Sequence, residues 1–340
     1  MGTARVYLVA KAEGHREGVE KALQLLSSQE DLLPLFHGEQ VLVKPNCVSA
    51  TRKLSATHPG ALEAVLELIF SFGPRRVILG EGSAEDTMRA FHNFGYTALA
   101  RKFDLEFLDL NQDEDTTLTI YDRAGRPREV RVARTALESV RVSVAVPKTH
   151  DTVIITASLK NMVVGAIRNP DKMAIHQGYP VINLNLALLA RRLVPHLAVI
   201  DGYVGMEGDG PTQGDPVDHR MALAGTDPVA VDAACAYLMG FSPEEIGYLQ
   251  HAARLGLGTA DLKKVEVMGS PLEEARRRYS PTASSFTGSP PRSSWPHSNA
   301  LSGRGGGSKR EARPLPRHLP RCQTQHPETQ RPRPPPTRRQ

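Results

Sequence analysis

The densest chemically capable stretch of this chain is Lys148-Thr149-His150-Asp151, followed shortly by Ser158-Leu159-Lys160-Asn161. Lys148 and His150 are two apart, so they point the same way if a strand continues through them. Lys160 and Asn161 then fall on a helix that can fold back over the strand end. Two lysines, a histidine and an amide this close together suit an anionic substrate, with His150 or a lysine of lowered pKa moving protons. A solvated helix start is the plainer alternative. A second group is Lys44-Pro45-Asn46, where Lys44 can hold an anion and Asn46 can fix a carbonyl or hydroxyl; Pro and Asn also serve as ordinary turn residues after a strand. His58, between Thr57 and Pro59, stands at a helix start whose free backbone N–H groups can receive an anion, or where Thr57 simply caps the helix.

The run from Asp201 to Pro211 reads as a glycine-rich acidic loop after a strand. Glycines let a backbone approach a ligand, and Asp201, Glu207 and Asp209 offer oxygen ligands to a hard divalent cation. A loop that is merely acidic fits the same residues. The run is neither a dinucleotide fingerprint nor a P-loop, since G-x-G-x-x-G and G-K-[ST] are both missing. Capping explains Thr226-Asp227-Pro228, with direct roles for Asp227 or Asp232 secondary. Asn183 and Asn185 interrupt an apolar helix and either face a cleft or are satisfied core amides. Arg168 and His176 lie in a stretch that can fold over the site. Cys47 reads as a buried structural thiol.

These residues need elements to position them, and six strand-like apolar runs end in polar clusters. The clusters are Lys44-Pro45-Asn46, Gly80 to Ser83, Asn111, Lys148 to His150, Asp201-Gly202 and Gly225-Thr226-Asp227. Ligands of open α/β sheets bind outside the carboxyl ends of the strands, so repeated polar strand ends point to one shared site. Strands alternate with helical segments, among them Val19 to Leu26, Pro59 to Phe72, Thr152 to Ile167, Val181 to Leu193 and Pro243 to Leu255. One hairpin, TLTIYD with REVRVA, shows period-two alternation. The pattern predicts an α/β fold, a mostly parallel sheet with helices on both faces. It also predicts two lobes, meeting near residues 133–150, with a cleft between them.

Composition divides the chain into a body, residues 1–279, and a tail, residues 280–340. The tail holds 11 basic and 2 acidic residues, leaving 31 basic and 35 acidic residues in the body, so the net charge of +5 comes from the tail. The mildly acidic body gives no reason to expect nucleic acid as a partner. The tail also carries 12 of the 26 prolines, which predicts disorder. Its RPRPPP run could meet an SH3-like domain, or the segment is a nonfunctional extension. The three cysteines are isolated, so no iron–sulfur cluster or Cys-rich zinc site is expected from this chain alone. No disulfide framework, signal peptide or membrane span is legible, and a cytoplasmic location is expected.

The motifs VLVKPN (41–46), THP (57–59), PKTH (147–150), SLKN (158–161), INLNL (182–186), VIDGYVGMEGDGP (199–211) and GTDPVAVDA (225–233) together resemble the bacterial and archaeal family called domain of unknown function 362. The likeness runs from about residue 4 to residue 270 and leaves out the tail. It places Lys44, Asn46, His58, Lys148, His150, Lys160, Asn161, Asp201 and Glu207 at the family's motif positions and implies no particular activity. Many relatives add a ferredoxin-like cysteine run, which this chain lacks.

The expectation is therefore an enzyme for a small anionic substrate, a carboxylate or a phosphate, with a divalent cation as candidate cofactor. Lys148, His150 and Lys160 form the candidate catalytic set. Lys44, Asn46, His58 and Asn161 would bind substrate, and Asp201, Glu207 and Asp209 would bind the cation. The alternative is a noncatalytic accessory protein that handles a metal or cofactor and serves an iron–sulfur or redox partner.

Overall fold

In order along the chain, a computed structural model describes residues 3–282, with β1 (Ala4–Val9), α1 (His15–Gln29), α2 (Leu33–Phe36), β2 (Gln40–Pro45), α3 (Pro59–Ser71), β3 (Arg76–Glu81), α4 (Thr87–Asn93) and β4 (Glu106–Asp109) first. A hairpin follows, β5 (Asp115–Tyr121) with β6 (Pro127–Ala133), then α5 (Arg134–Glu138) and β7 (Val140–Ala145). The chain continues through β8 (Lys148–His150), β9 (Ile154–Thr156), α6 (Ser158–Ala166), α7 (Tyr179–Leu193), β10 (Leu197–Glu207) and β11 (Asp215–Gly225). It closes with α8 (Pro228–Leu238), α9 (Gly247–Arg254), β12 (Val265–Gly269) and α10 (Leu272–Ala275). Nearly all of the tail, with its RPRPPP run, lies outside the described residues.

One sheet of order β12-β1-β11-β10-β7-β2-β3-β4 runs through the fold, and β8 and β9 join it beside β10. All neighbours along the main path are parallel except β11, which is antiparallel to both β1 and β10. The central strands β2, β3 and β7 are six residues long and almost wholly buried, as a sheet covered on both sides requires. Alternation sorts the two cores. Val41, Val43, Val77, Leu79, Leu197 and Val199 pack with residues of α1 and α3. Leu42, Ile78, Ala198 and Ile200 pack on the other face, with residues of α6, α7, α8 and α9. Each fully buried Leu, Ile or Val contributes about 1.5–3 kcal/mol relative to exposure.

The α/β class with a mostly parallel sheet is as expected, but four local expectations are corrected. The segment 133–150 contains β7, which lies mid-sheet between β10 and β2, so a lobe boundary cannot fall there. Residues 152–156 are not helical: Ile154–Thr156 turns back to pair with Lys148–His150, and the helix starts only at Ser158. The expected loop after Asp201 is largely strand, since β10 continues to Glu207 against β11 with an irregularity between Gly202 and Val204. The helix expected over Pro243–Leu255 is a short 3-10 turn, Pro243–Glu245, followed by α9.

The β5–β6 hairpin forms a separate two-stranded sheet whose Ile120, Val130 and Val132 enter the α6–α9 core. It also holds the segment after α6 in place. The Arg131 guanidinium grips the Asp171 carboxylate through two hydrogen bonds of 2.9 and 3.1 Å, and Val132 pairs with Ile167. The stretch carrying Arg168, Lys172 and His176 is thereby anchored beside the sheet edge.

Candidate functional site: a buried lysine cluster

The parallel strands β2, β3, β4, β7 and β10 present their carboxyl ends at one sheet edge, which brings Lys44, Glu81, Asn111, Lys148 and Asp201 to that edge or just beyond it. The sixth polar strand end, Gly225-Thr226-Asp227, lies at the opposite edge because β11 is antiparallel. There Asp227 caps α8, accepting from the Ala230 N–H at 2.9 Å. In its place comes β1, parallel to β10, which delivers His15 to the site edge.

Lys44 continues the face of Leu42 and meets α6. Its Nζ donates to Glu81 Oε2 at 2.7 Å, Asn161 Oδ1 at 2.9 Å and the Pro45 carbonyl at 3.0 Å. Burial pulls the Lys44 pKa down, and Glu81 opposes that pull. Glu81 also accepts the N–H groups of Cys47 and Gly82. Asn161 is held in turn by its amide donating to Ser143 Oγ at 3.0 Å. The ion pair presses against Gly165 of α6, where a Cβ would overlap both the Lys44 ammonium and Glu81. Gly165→Ala should therefore destabilise the protein by about 1–3 kcal/mol, read from urea denaturation, because overpacking forces strain into a filled core. A change below about 0.5 kcal/mol, the level of an ordinary surface substitution, would show that the pair has room to move.

Three further lysines converge on this pair. Lys148 is fully buried, donates to the Ser55 carbonyl at 3.0 Å, and has its pKa pulled down to about 7 by burial and by the charge of Lys160. Lys160 is 7% exposed, and its amine has no hydrogen-bond partner among the described residues. Burial and Lys44 lower its pKa to about 8, against the pull of Asp151. Lys172 donates to Asn111 Oδ1 at 2.8 Å and to the Ile167 carbonyl, and burial brings it to about 8.

The charges do not balance. Among the described residues the buried carboxylates are Glu81, Asp122, Asp201 and Asp232. Asp122 binds Arg126 and Arg128, Asp201 binds His15, and Asp232 accepts the Ser158 and Leu159 N–H groups at the start of α6. Glu81 alone pairs with the lysines. Burying an unpaired ammonium costs several kcal/mol, so such a group either loses its proton or awaits an anion. Asn46 Oδ1, Thr156 Oγ1 and Ser158 Oγ are also buried without hydrogen-bond partners among the described residues. Thr156 lies opposite Lys148 across the β8–β9 ladder, and Ser158 opens the helix that carries Lys160.

His150 takes a different part from the one expected. Its Nδ1 faces both the Thr152 N–H at 3.0 Å and Asp151 Oδ1 at 2.8 Å. One nitrogen cannot accept from the first and donate to the second. The backbone N–H has a fixed hydrogen, so Nδ1 accepts from Thr152 and the ring is neutral. Burial and Lys160 push its pKa down to about 3, which agrees. His150 therefore shapes the β8–β9 turn and is a poor proton acceptor near neutral pH.

The three expected cation ligands do not converge. Asp201 points to the α1 side, where the His15 Nδ1 lies 2.8 Å from Oδ1. Glu207 lies six residues further along β10, about 20 Å at strand rise, and accepts the Ser280 N–H at 2.7 Å. Asp209 is exposed in the turn beyond. Among the described residues no group of three or more His, Cys, Asp or Glu is arranged to hold a metal.

His58 is likewise drawn to the α1 side, away from Lys44. It caps α3 by accepting the Gly60 N–H at 3.0 Å and stacks on His15 with ring centroids 4.1 Å apart. Thr57, expected as that cap, instead donates to the Val144 carbonyl and accepts from the Asn46 N–H, tying the β2 end to β7. Asn183 and Asn185 are satisfied core amides, bonded to Tyr179 and Tyr248 and to Tyr121 respectively. Cys47 is a buried free thiol whose pKa burial raises to about 12.

A doubly covered, mostly parallel sheet with polar residues gathered at one carboxyl edge defines the class as α/β with a strand-end site. Residues 41–237, more than half of the chain, match the family described as Domain of unknown function (DUF362), and the chain belongs to that family. Among curated proteins it is similar to a thylakoid-associated protein of Synechocystis sp., 25% identical over 227 residues, which are 65% of this chain and 69% of that protein. Among solved structures it is similar to the lactate racemase apoprotein from Thermoanaerobacterium thermosaccharolyticum, at 14% identity and a TM-score of 0.46 over 70% of this chain. The chain spans 57% of that protein's length.

Proposed function

We propose that this protein is an enzyme that binds a small carboxylate or phosphate at the Lys44–Lys148–Lys160–Lys172 cluster and moves protons with Lys148 and Lys160. One observation carries the reading: four buried lysines face a single paired carboxylate, and the Lys160 amine has no hydrogen-bond partner among the described residues. A bound anion would supply the missing charge and the acceptors. Amines with pKa values near 7 and 8 are suited to acid–base work at neutral pH, which the ordinary lysine value is not. Asn161 and Glu81 fix Lys44, while the orphaned Asn46, Thr156 and Ser158 oxygens are available to the ligand's polar groups. A reducing, cytoplasmic setting fits the buried free thiols of Cys47 and Cys235, and no helix among the described residues is long and apolar enough to cross a membrane.

Calorimetric titration of the full-length protein with inorganic phosphate and with pyruvate tests this. Lys160→Gln should weaken binding by about ten- to a hundredfold, since one charge-assisted hydrogen bond is worth about 1.5–3 kcal/mol. Equal affinity in wild type and variant, or heat from neither anion, would remove the lysine cluster as the ligand site.

A further inference from the structure

A second set of titratable side chains stands at the same sheet edge, on the α1 side. No hydrogen bond or ion pair among the described residues joins it to the lysine cluster. Asp201 of β10 is 1% exposed, and both of its carboxylate oxygens face His15 Nδ1, at 2.8 and 2.9 Å. A carboxylate oxygen only accepts, so His15 Nδ1 donates and the neutral ring holds its lone pair at Nε2. That Nε2 has no hydrogen-bond partner among the described residues, and the His15 side chain is 22% exposed, so a ligand can reach it. The ring is clamped. His58 stacks on it with centroids 4.1 Å apart and planes 6° from parallel, and Tyr203 meets it edge-on at 4.9 Å. His58 is fixed as the other tautomer, since the Gly60 N–H donates to its Nδ1 at 3.0 Å and leaves the ring hydrogen on Nε2. Burial, and then His15, lower the His58 pKa, in keeping with a neutral ring.

We propose that His15 is a general base, positioned by Asp201, that takes the proton of a hydroxyl group, that of water or an alcohol, brought to its Nε2. The O–H bond breaks with its electron pair left on the oxygen, which becomes a nucleophile, and an N–H bond forms at Nε2. The resulting imidazolium faces the Asp201 carboxylate across 2.8 Å and returns the proton to the leaving group. No oxidant or reductant is consumed. A buried carboxylate that holds a histidine by Nδ1, with Nε2 open, is the arrangement by which hydrolases activate a hydroxyl. The nearest cation does not compete for the carboxylate. Arg16, next along α1, is engaged by Glu63 and Glu67, and His15 is the one side chain bonded to Asp201 among the described residues. The site stands apart from the anion reading, and either can fail without the other.

Limited treatment of the full-length protein with diethyl pyrocarbonate, mapped by peptide mass spectrometry, tests the base, because this reagent acylates an unprotonated imidazole nitrogen. At about pH 7, where an ordinary histidine is mostly neutral, His15 should label faster than the more exposed His37 and His92, while the stacked His58 is spared. Asp201→Asn should slow His15 labelling by about tenfold or more, because an amide N–H turned toward Nδ1 moves the ring hydrogen to Nε2. His37 and His92 are the internal references in each sample, and thermal melting checks that the variants are folded. Hydrolysis of ethyl dichloroacetate tests the hydroxyl step, since its poor leaving group directs an imidazole to water rather than to the ester carbon. The rate should be lower in heavy water, and it should fall in both His15→Gln and Asp201→Asn. His15 labelling no faster than His92, equal labelling of His15 and His58, or hydrolysis unchanged by His15→Gln would each overturn the proposal.

Discussion

Lys44→Met is expected to lower the unfolding free energy by about 3–5 kcal/mol, because it strands the Glu81 carboxylate in a site with no other cation bonded to it. The loss is large against a typical total of about 5–15 kcal/mol. Glu81 would retain the Cys47 and Gly82 N–H groups, which soften the penalty without removing it. Adding Glu81→Gln to Lys44→Met should recover part of the loss, since the double variant buries no unpaired charge. Urea denaturation of the four proteins in the cycle gives the coupling directly. A single-variant loss under about 1 kcal/mol, the range of exposed ion pairs, would mean that water reaches the pair.

Anion affinity should fall as pH rises above about 7, following the lowered pKa values of Lys148 and Lys160. The sign follows from linkage. A bound carboxylate raises the pKa of both amines, so binding takes up protons wherever the free protein has begun to lose them. The slope approaches about tenfold in Kd per pH unit for each proton taken up. Titration with pyruvate from pH 6 to pH 9.5 isolates the protein's part, because this ligand stays ionised throughout. A flat profile would show that both lysines keep ordinary pKa values. Stability of the ligand-free protein should move the other way. Lys148, Lys160 and Lys172 have folded pKa values below the ordinary lysine value of about 10.5, so between about pH 7 and 10 the unfolded chain binds more protons and stability rises with pH.

The glycine and calorimetry tests probe different links of one argument. Gly165→Ala asks whether α6 must approach the Lys44–Glu81 pair this closely, and Lys160→Gln asks whether the cluster holds a ligand. A protein that fails the first and passes the second would still bind anions, with Lys44 as a structural residue only.

Much of this was legible in the residues themselves. Local patterning marked the strands that carry Lys44, Glu81 and Asp201, because a buried parallel strand needs an unbroken apolar run and the polar residues that interrupt it are conspicuous. It also marked α3, where Pro59 suits the first helical position, and the hairpin, where β5 and β6 alternate. The Lys148 and Lys160 clusters stood out by residue type alone.

Direction and pairing were a matter for the tertiary structure. A strand's sequence does not say whether it runs with or against its neighbours, so β11 looked like a site strand until its antiparallel pairing put Asp227 at the far edge. The acidic run after Asp201 looked like a cation loop because Glu207 is near in sequence, yet extended backbone carries it about 20 Å away. Conversely, Glu81 is 37 residues from Lys44 and Asn161 is 117 residues away, and only the packing of α6 on the sheet makes them one hydrogen-bonded group. Lys172 and His15, ordinary in sequence, acquire their partners the same way. The sequence by itself determined which side chains are available and which stretches are strands or helices, because propensity and hydrophobic period act over a few residues. The tertiary structure decided which charges are left without a counter-ion, because desolvation and pairing depend on neighbours that the chain brings together from far along its length.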